Sequence, residues 1–220
     1  MAKRNASDQN TERSNQEFDQ VINSSQWMPL VAVVKHGKAC HNRRMNQPIA
    51  QLYQYCPVCG SKGDASGSNP FRCPACDHTH YFSPVTAVGA IITDEQGLVL
   101  LITRAKDPGK GKYGLPGGFV DPNESLEEAL RREVLEEINL QATSVRYLTS
   151  FPNTYAYSGA VFPVTDGFFV CEVDSFDSIA AQEGEITDFH FLEPNKEVLD
   201  NLAFESNRLA LEFFLANRSA

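Results

Sequence analysis

Between residues 117 and 140 two glycines lead into a helix that turns acids toward its own buried side, a combination few folds can satisfy. Gly117-Gly118-Phe119-Val120-Asp121-Pro122-Asn123-Glu124 reads as a loop. Ser125 and Glu128 then stand at the spacing of a capping box, each satisfying an orphan backbone donor of the first helical turn. At about 100° per residue, Leu126, Ala129, Leu130 and Val134 align as one apolar stripe. Glu133 and Glu137 fall within that stripe, and Glu136 lies beside it. Bare carboxylates directed inward are costly, and a bound multivalent cation answers that cost. Glutamate-rich helices are otherwise ordinary solvated faces, so the framework around the acids must decide.

Gly118, five residues, Glu124, seven residues and then Arg132-Glu133-Val134-Leu135-Glu136-Glu137-Ile138-Asn139-Leu140 resembles the signature of the Nudix hydrolases. One position departs from that pattern: Asn139 stands where the family has glycine. A residue just past a helix commonly adopts a left-handed backbone, and asparagine tolerates it next best after glycine. The departure therefore predicts a small stability cost and an intact site.

The resemblance implies an α/β fold, an α/β/α sandwich around a mixed sheet, over residues 83–220. It also implies hydrolysis of a nucleoside diphosphate linked to another moiety. Mg²⁺ (or Mn²⁺) would be held by Glu133, Glu136, Glu137 and the backbone carbonyl of Gly117. Arg132 would orient the carboxylates by hydrogen bonds, with Glu124 supporting it. For the general base two choices stand: Glu137, or an outlying glutamate at Glu183 or Glu185, of which Glu185 is preferred.

Cys56-Pro57-Val58-Cys59 and Cys73-Pro74-Ala75-Cys76 have the spacing of a zinc ribbon over residues 55–82. Four thiolates on two knuckles complete a structural Zn²⁺ site, so His78 and His80 are not needed as ligands. A ribbon followed by a Nudix domain is similar in layout to NADH pyrophosphatases. Those carry a Ser-Gln-Pro-Trp array after the signature, whereas this chain has Ser150-Phe151-Pro152-Asn153-Thr154-Tyr155. ADP-ribose, NAD(H), FAD and other dinucleotides therefore all stand as substrates. A catalytically inactive Nudix-like sensor and a zinc-ribbon adaptor are the alternative readings.

Strands are expected at 85–93, 98–104, 145–151, 167–173 and around 189–192, with a closing C-terminal helix. A basic glycine-rich loop at 105–116 precedes the acidic helix. Lys110 and Lys112 of this loop, with Arg104 at the end of the strand before it, are candidate diphosphate contacts. An aromatic connection follows at 152–162, where Tyr155 and Tyr157 are candidates for stacking on a base.

Residues 1–17 read as a disordered tail and 18–54 as an N-terminal extension, in which Leu30-Val31-Ala32-Val33-Val34 is a candidate strand and Cys40 has no completed ligand set. The formal net charge is −9. Residues 1–50 hold seven Lys or Arg against four Asp or Glu, and the remainder twelve against twenty-four. So acidic a body argues against a large nucleic-acid surface but not against a nucleotide substrate. No signal peptide or membrane-spanning run is visible, and paired cysteines suit metal in a reducing compartment, which gives a cytoplasmic expectation. A homodimer is compatible with the sequence.

Overall fold

The computed structural model describes residues 46–218, apart from residue 65. The disordered tail at 1–17, the candidate strand at 30–34, Cys40 and most of the 18–54 extension lie outside the described residues. In chain order come Gln47–Pro48 (β1), Ile49–Leu52 (α1), Phe71–Arg72 (β2), Thr79–His80 (β3), Val85–Ile92 (β4), Val99–Arg104 (β5) and Tyr113–Gly114 (β6). Leu126–Ile138 (α2), Ala142–Tyr157 (β7), Ala160–Val173 (β8), Ile186–Leu192 (β9), Lys196–Asp200 (α3) and Glu205–Asn217 (α4) follow.

β8 is the spine of a mixed four-stranded sheet. It pairs in parallel with β4 and β1 and antiparallel with β7. A second, antiparallel sheet runs β6-β5-β9. Alternation along β4 and β5 explains the layering. Val88, Ala90, Ile92, Leu100 and Ile102 pack into one core with Ala129, Leu130, Val134 and Ile138 of α2. Ile91, Val99 and Leu101 point the other way, into a core with Phe168, Val198, Ala210, Leu211 and Phe214. Successive strand side chains alternate faces, so strands apolar on both faces need cover on both. α2 supplies it on one side, α3 and α4 on the other, and the expected α/β/α sandwich results.

The stretch at 152–162 is not a connecting loop. β7 and β8 are one long hairpin in register from Phe151↔Asp166 to Tyr157↔Ala160. Ser158 (φ 50°) and Gly159 (φ 86°) both take positive φ in its two-residue turn. Two left-handed residues in succession match the strands' own twist, which a Ser-Gly pair permits. The aromatic residues therefore sit on paired strands.

Before the sandwich, the chain forms the small β2–β3 hairpin around four cysteines. Gly60 N donates to Cys56 O at 2.9 Å, and Asp77 N donates to Cys73 O at 3.0 Å. Gly60 (φ 73°) and Asp77 (φ 58°) turn each knuckle in the left-handed region. No helix among the described residues is long and apolar enough to cross a membrane.

Candidate functional site

α2 begins as its sequence predicts. Glu128 N donates to Ser125 Oγ at 3.2 Å, and Ser125 N donates to Glu128 Oε2 at 2.8 Å. It ends on Asn139 at φ 54°, the left-handed cap expected there. The asparagine does more than tolerate that geometry, because its Nδ2 donates to Ser178 O at 2.8 Å and ties the following loop to the helix.

Along α2 the acids divide by depth. Glu137 is buried at 7% exposure, and its Oε2 accepts from Gly117 N at 2.8 Å. Glu133 is half-buried. Glu136 is exposed, with 52% of its side chain accessible, outside the buried stripe. Arg132 organises them. Its Nε and Nη2 grip both oxygens of Glu124 at 2.7 and 2.9 Å, and its Nη1 reaches Glu133 Oε1 at 2.8 Å and Glu136 Oε2 at 3.2 Å. A planar fork that spends one edge on Glu124 is held still and can orient other carboxylates with the rest.

Burial raises the pKa of Glu133 and pushes that of Glu137 up to about 8, against the opposing hydrogen bond from Gly117. Carboxylates that resist ionisation are relieved by a hard cation, and an all-oxygen donor set suits one. The glycines bring the loop close enough to share it. A Cβ on Gly118 would lie 2.5 Å from Glu133 Oε1. The carbonyls of Pro116 and Gly118 bond to Ala90 N and Val88 N of β4. That alternation leaves the Gly117 carbonyl between them without a backbone partner among the described residues. The three glutamates are not gathered as tightly as the cysteines, since Arg132 and Gly117 N draw them in different directions.

Gly117, Gly118, Arg132, Glu133 and Glu137 line one side of a cleft of about 330 Å³. Arg104 enters it from the end of β5, its guanidinium 5.0 Å from the centre of the Phe204 ring. Tyr155 and Glu185 also line it. Glu185 is exposed and pairs with Lys106 at 3.1 Å; Glu183 does not reach the cleft.

Four sequence candidates do not line the cleft: Glu136, exposed on the outer side of α2, Lys110, Lys112 and Tyr157. Lys110 and Lys112 are exposed on the loop after β5 and do not line it. There Gly111 N and Arg104 N bond back across the loop, to Arg104 O and Lys112 O, and close it into a hairpin. Its Gly109 abuts Ala203, where a Cβ would lie 2.5 Å from the alanine Cβ. Tyr157 lies in an adjoining apolar groove with Phe119, Val120 and Phe162 instead. Sequence reasoning in turn missed Asn153, Asp166, Phe204 and Asn207, which all line the cleft. For Asp166 a signal existed: an acid alternating with Val164 and Phe168 on an inward-facing strand.

The four cysteines are the one group among the described residues whose metal-binding atoms lie within 4.8 Å of one another. Cys56 Sγ and Cys76 Sγ are 3.7 Å apart, Cys59 Sγ and Cys73 Sγ 3.6 Å. With Zn–S bonds near 2.3 Å, the edge of a tetrahedral four-thiolate site is about 3.8 Å, so the sulfurs fit a zinc ion. Hydrogen bonds from the side chain and backbone of Ser61 lower the Cys59 thiol to about 6. Cys76, against a lowering hydrogen bond from the His78 backbone, is raised to about 12 by the neighbouring thiols, so without metal the four sulfurs share protons that a metal would displace.

Comparison with known proteins follows the same lines. Residues 83–213 match the family model described as the NUDIX domain. The NAD-capped RNA hydrolase NudC of Chromobacterium violaceum is 28% identical over 162 residues, 73% of this chain and 56% of that protein. The ADP-ribose pyrophosphatase of Methanocaldococcus jannaschii is 47% identical over 60 residues, 27% of this chain and 35% of that protein. The chain spans about half the length, or less, of the curated relatives it matches. A crystal structure of a NUDIX hydrolase from Nitrosomonas europaea superposes with a TM-score of 0.57 at 24% identity, over 76% of this chain and 92% of that one. That likeness shows the fold.

Proposed function

This chain belongs to the Nudix family, and from that premise we propose that it hydrolyses the pyrophosphate bond of a nucleoside diphosphate linked to another moiety, of the ADP-ribose, NAD(H) or FAD type. The observation that carries this reading is the meeting, in one cleft, of Glu133, Glu137 and Arg132 with Arg104 and Tyr155. Phosphoryl transfer depends mainly on positioning and on charge neutralisation, and the cleft supplies groups for both. Glu133, Glu136, Glu137 and the Gly117 carbonyl would hold Mg²⁺ or Mn²⁺, which when bound neutralises phosphoryl oxygens and acidifies water. Arg132 keeps the carboxylates aligned, and Arg104 faces the diphosphate.

Glu185 is assigned as the base. It lines the cleft while remaining accessible to solvent, whereas Glu137 is buried at 7% exposure with one carboxylate oxygen taken by Gly117 N. Tyr155 offers a ring face to a base. We take residues 55–82 as a separate zinc-ribbon module and 83–220 as the hydrolase. The relatives named for NAD-capped RNA make a capped RNA one further substrate to include.

The test is incubation with Mg²⁺ and ADP-ribose, NADH, NAD⁺, FAD, diadenosine polyphosphates or NAD-capped RNA, reading release of a nucleoside monophosphate or, from capped RNA, a 5′-monophosphate end. Glu136→Gln should lower the rate by about 10²-fold or more, and Glu185→Gln by about 10²–10⁴-fold. If no substrate is cleaved, or if Glu136→Gln leaves the rate unchanged, the catalytic reading fails and an inactive nucleotide-binding module takes its place.

A further inference from the structure

The α4 side of the cleft holds a buried acid that hydrolysis as set out above does not use. Asp166, on β8, is 8% exposed, and its Oδ2 accepts from Ser206 Oγ at 2.6 Å and from Asn153 Nδ2 at 2.8 Å. Two donors on one oxygen fix the plane of the carboxylate; burial raises its pKa, and these two hydrogen bonds oppose that rise. Oδ1 takes no partner among the described residues. Asn207, next to Ser206 on α4, is also 8% exposed, lines the same cleft and makes no side-chain hydrogen bond to the described residues. Beside them stand two aromatic rings, Tyr155 and Phe204, with centroids 6.1 Å apart and planes at 29°.

A fixed carboxylate oxygen, a free amide and aromatic faces accept a flat, neutral group that donates an N–H, and they repel phosphate. The acids on α2, with the cation they would hold, draw phosphate the other way. Arg104, whose guanidinium lies 5.0 Å from the centre of the Phe204 ring, can meet a phosphate next to the base. The cleft therefore has a polarity, with its phosphate end at α2 and its nucleoside end at β8 and α4.

We propose that Asp166 and Asn207, with the rings of Tyr155 and Phe204, read the base of the substrate and select one with an exocyclic amino group beside a ring-nitrogen acceptor, the adenine pattern. The amino group donates to Asp166 Oδ1, and the Asn207 amide donates to the adjacent ring nitrogen. A base with an oxo group in place of that amine sets two acceptors face to face and leaves a buried carboxylate oxygen unpaired, a mismatch that polar sites reject strongly. This proposal rests on the hydrolase reading for where the diphosphate lies, but its donor–acceptor logic is independent of turnover.

The test uses adenosine 5′-monophosphate and inosine 5′-monophosphate, which differ in this amino-for-oxo exchange, in calorimetric titrations of the full chain with Mg²⁺ present. ADP-ribose and its inosine counterpart are compared in hydrolysis. Wild type should favour the amino form by about 10-fold or more, through KM with little change in kcat. In Asp166→Asn, Ser206 and Asn153 retain the amide oxygen on their side, so the NH₂ faces the cleft and the preference turns toward the inosine form. Asn207→Ala should weaken both nucleotides and leave the preference in place.

Equal binding of the two nucleotides by wild type, or binding of neither, overturns the proposal. So does a folded Asp166→Asn variant that keeps the adenine preference. Where Asp166→Asn fails to fold, the wild-type comparison and Asn207→Ala decide. An adenine preference in binding with no hydrolysis of any substrate overturns the hydrolase reading and leaves this subsite standing. Hydrolysis without a base preference does the reverse.

Discussion

Glu137 shows how a single residue sets function against stability. Its carboxyl is 7% exposed, burial drives its pKa up to about 8, and the nearby Glu133 charge adds to the shift while Arg104 opposes it. A folded-state pKa above the usual carboxylate range means that the folded chain holds a proton the unfolded chain has released. Between about pH 4.5 and 8, stability therefore falls as pH rises. Below that window both states are protonated and the effect vanishes; above it the full cost, on the order of a few kcal/mol, is present. A bound cation would offset the cost at neutral pH. Glu137→Gln keeps an acceptor for Gly117 N and removes the charge. The metal-free variant should melt higher than wild type at pH 8.5, by about 2–4 °C for each kcal/mol. The gap should close toward pH 4.5, and Mg²⁺-dependent hydrolysis should be lost. Melting curves in chelator across that range check it, and an equal difference at both ends would sink the account.

At the scale of elements, the loop before α2 depends on two glycines for different reasons. Gly117 has φ 146°, and a Cβ there would run into the Val88 carbonyl on β4, a backbone atom that cannot step aside. Gly118 would meet only the end of the Glu133 side chain. Gly117→Ala should therefore cost stability, at least about 1–3 kcal/mol from strain. Gly118→Ala should fold nearly normally yet displace Glu133 and lose about 10²-fold in kcat, the usual cost of a misplaced group. Paired melting and rate measurements separate the two, and a Gly118→Ala variant with wild-type kcat would contradict the geometry.

The acids, the capping box and the strands at β4 and β5 were legible in the sequence because each follows a local period or spacing. The long β7–β8 hairpin was not. Its aromatic residues obscure the alternation, and Ser158-Gly159 is a weaker turn signal than Asn-Gly or Asp-Gly. The polar cluster at the other end of the cleft was hidden for a deeper reason, because Asp166, Ser206 and Asn207 come together only when β8 and α4 pack. Lys110 and Lys112 looked like phosphate ligands by composition, and the closure of their loop turned them outward.

For the whole molecule, the contrast lies between a sandwich with two apolar cores and a cysteine module that has almost none. Around the β2–β3 hairpin the buried cluster is Cys56, Phe71, Cys73 and Phe82, with Ile49, Ala50 and Tyr53 packed against it. So few apolar side chains cannot offset the ordering of nearly thirty residues at roughly 1–2 kcal/mol each for the backbone alone. A metal of the kind the four sulfurs fit would supply the balance, since metal binding to such a site is folding free energy. Purified protein should then contain one zinc per chain. Stripping it with a chelator, or replacing Cys59 by Ser, should speed amide exchange across residues 55–82 while the strands and helices between 83 and 213 keep their protection. Hydrogen-exchange mass spectrometry reads both regions in one experiment. Zinc content near zero, or unchanged protection at 55–82 after chelation, would show that packing alone holds the module. Collapse of protection throughout would show instead that the sandwich leans on the ribbon, through the segment whose β1 pairs with β8 and whose Ile49, Ala50 and Tyr53 pack on the cysteine module.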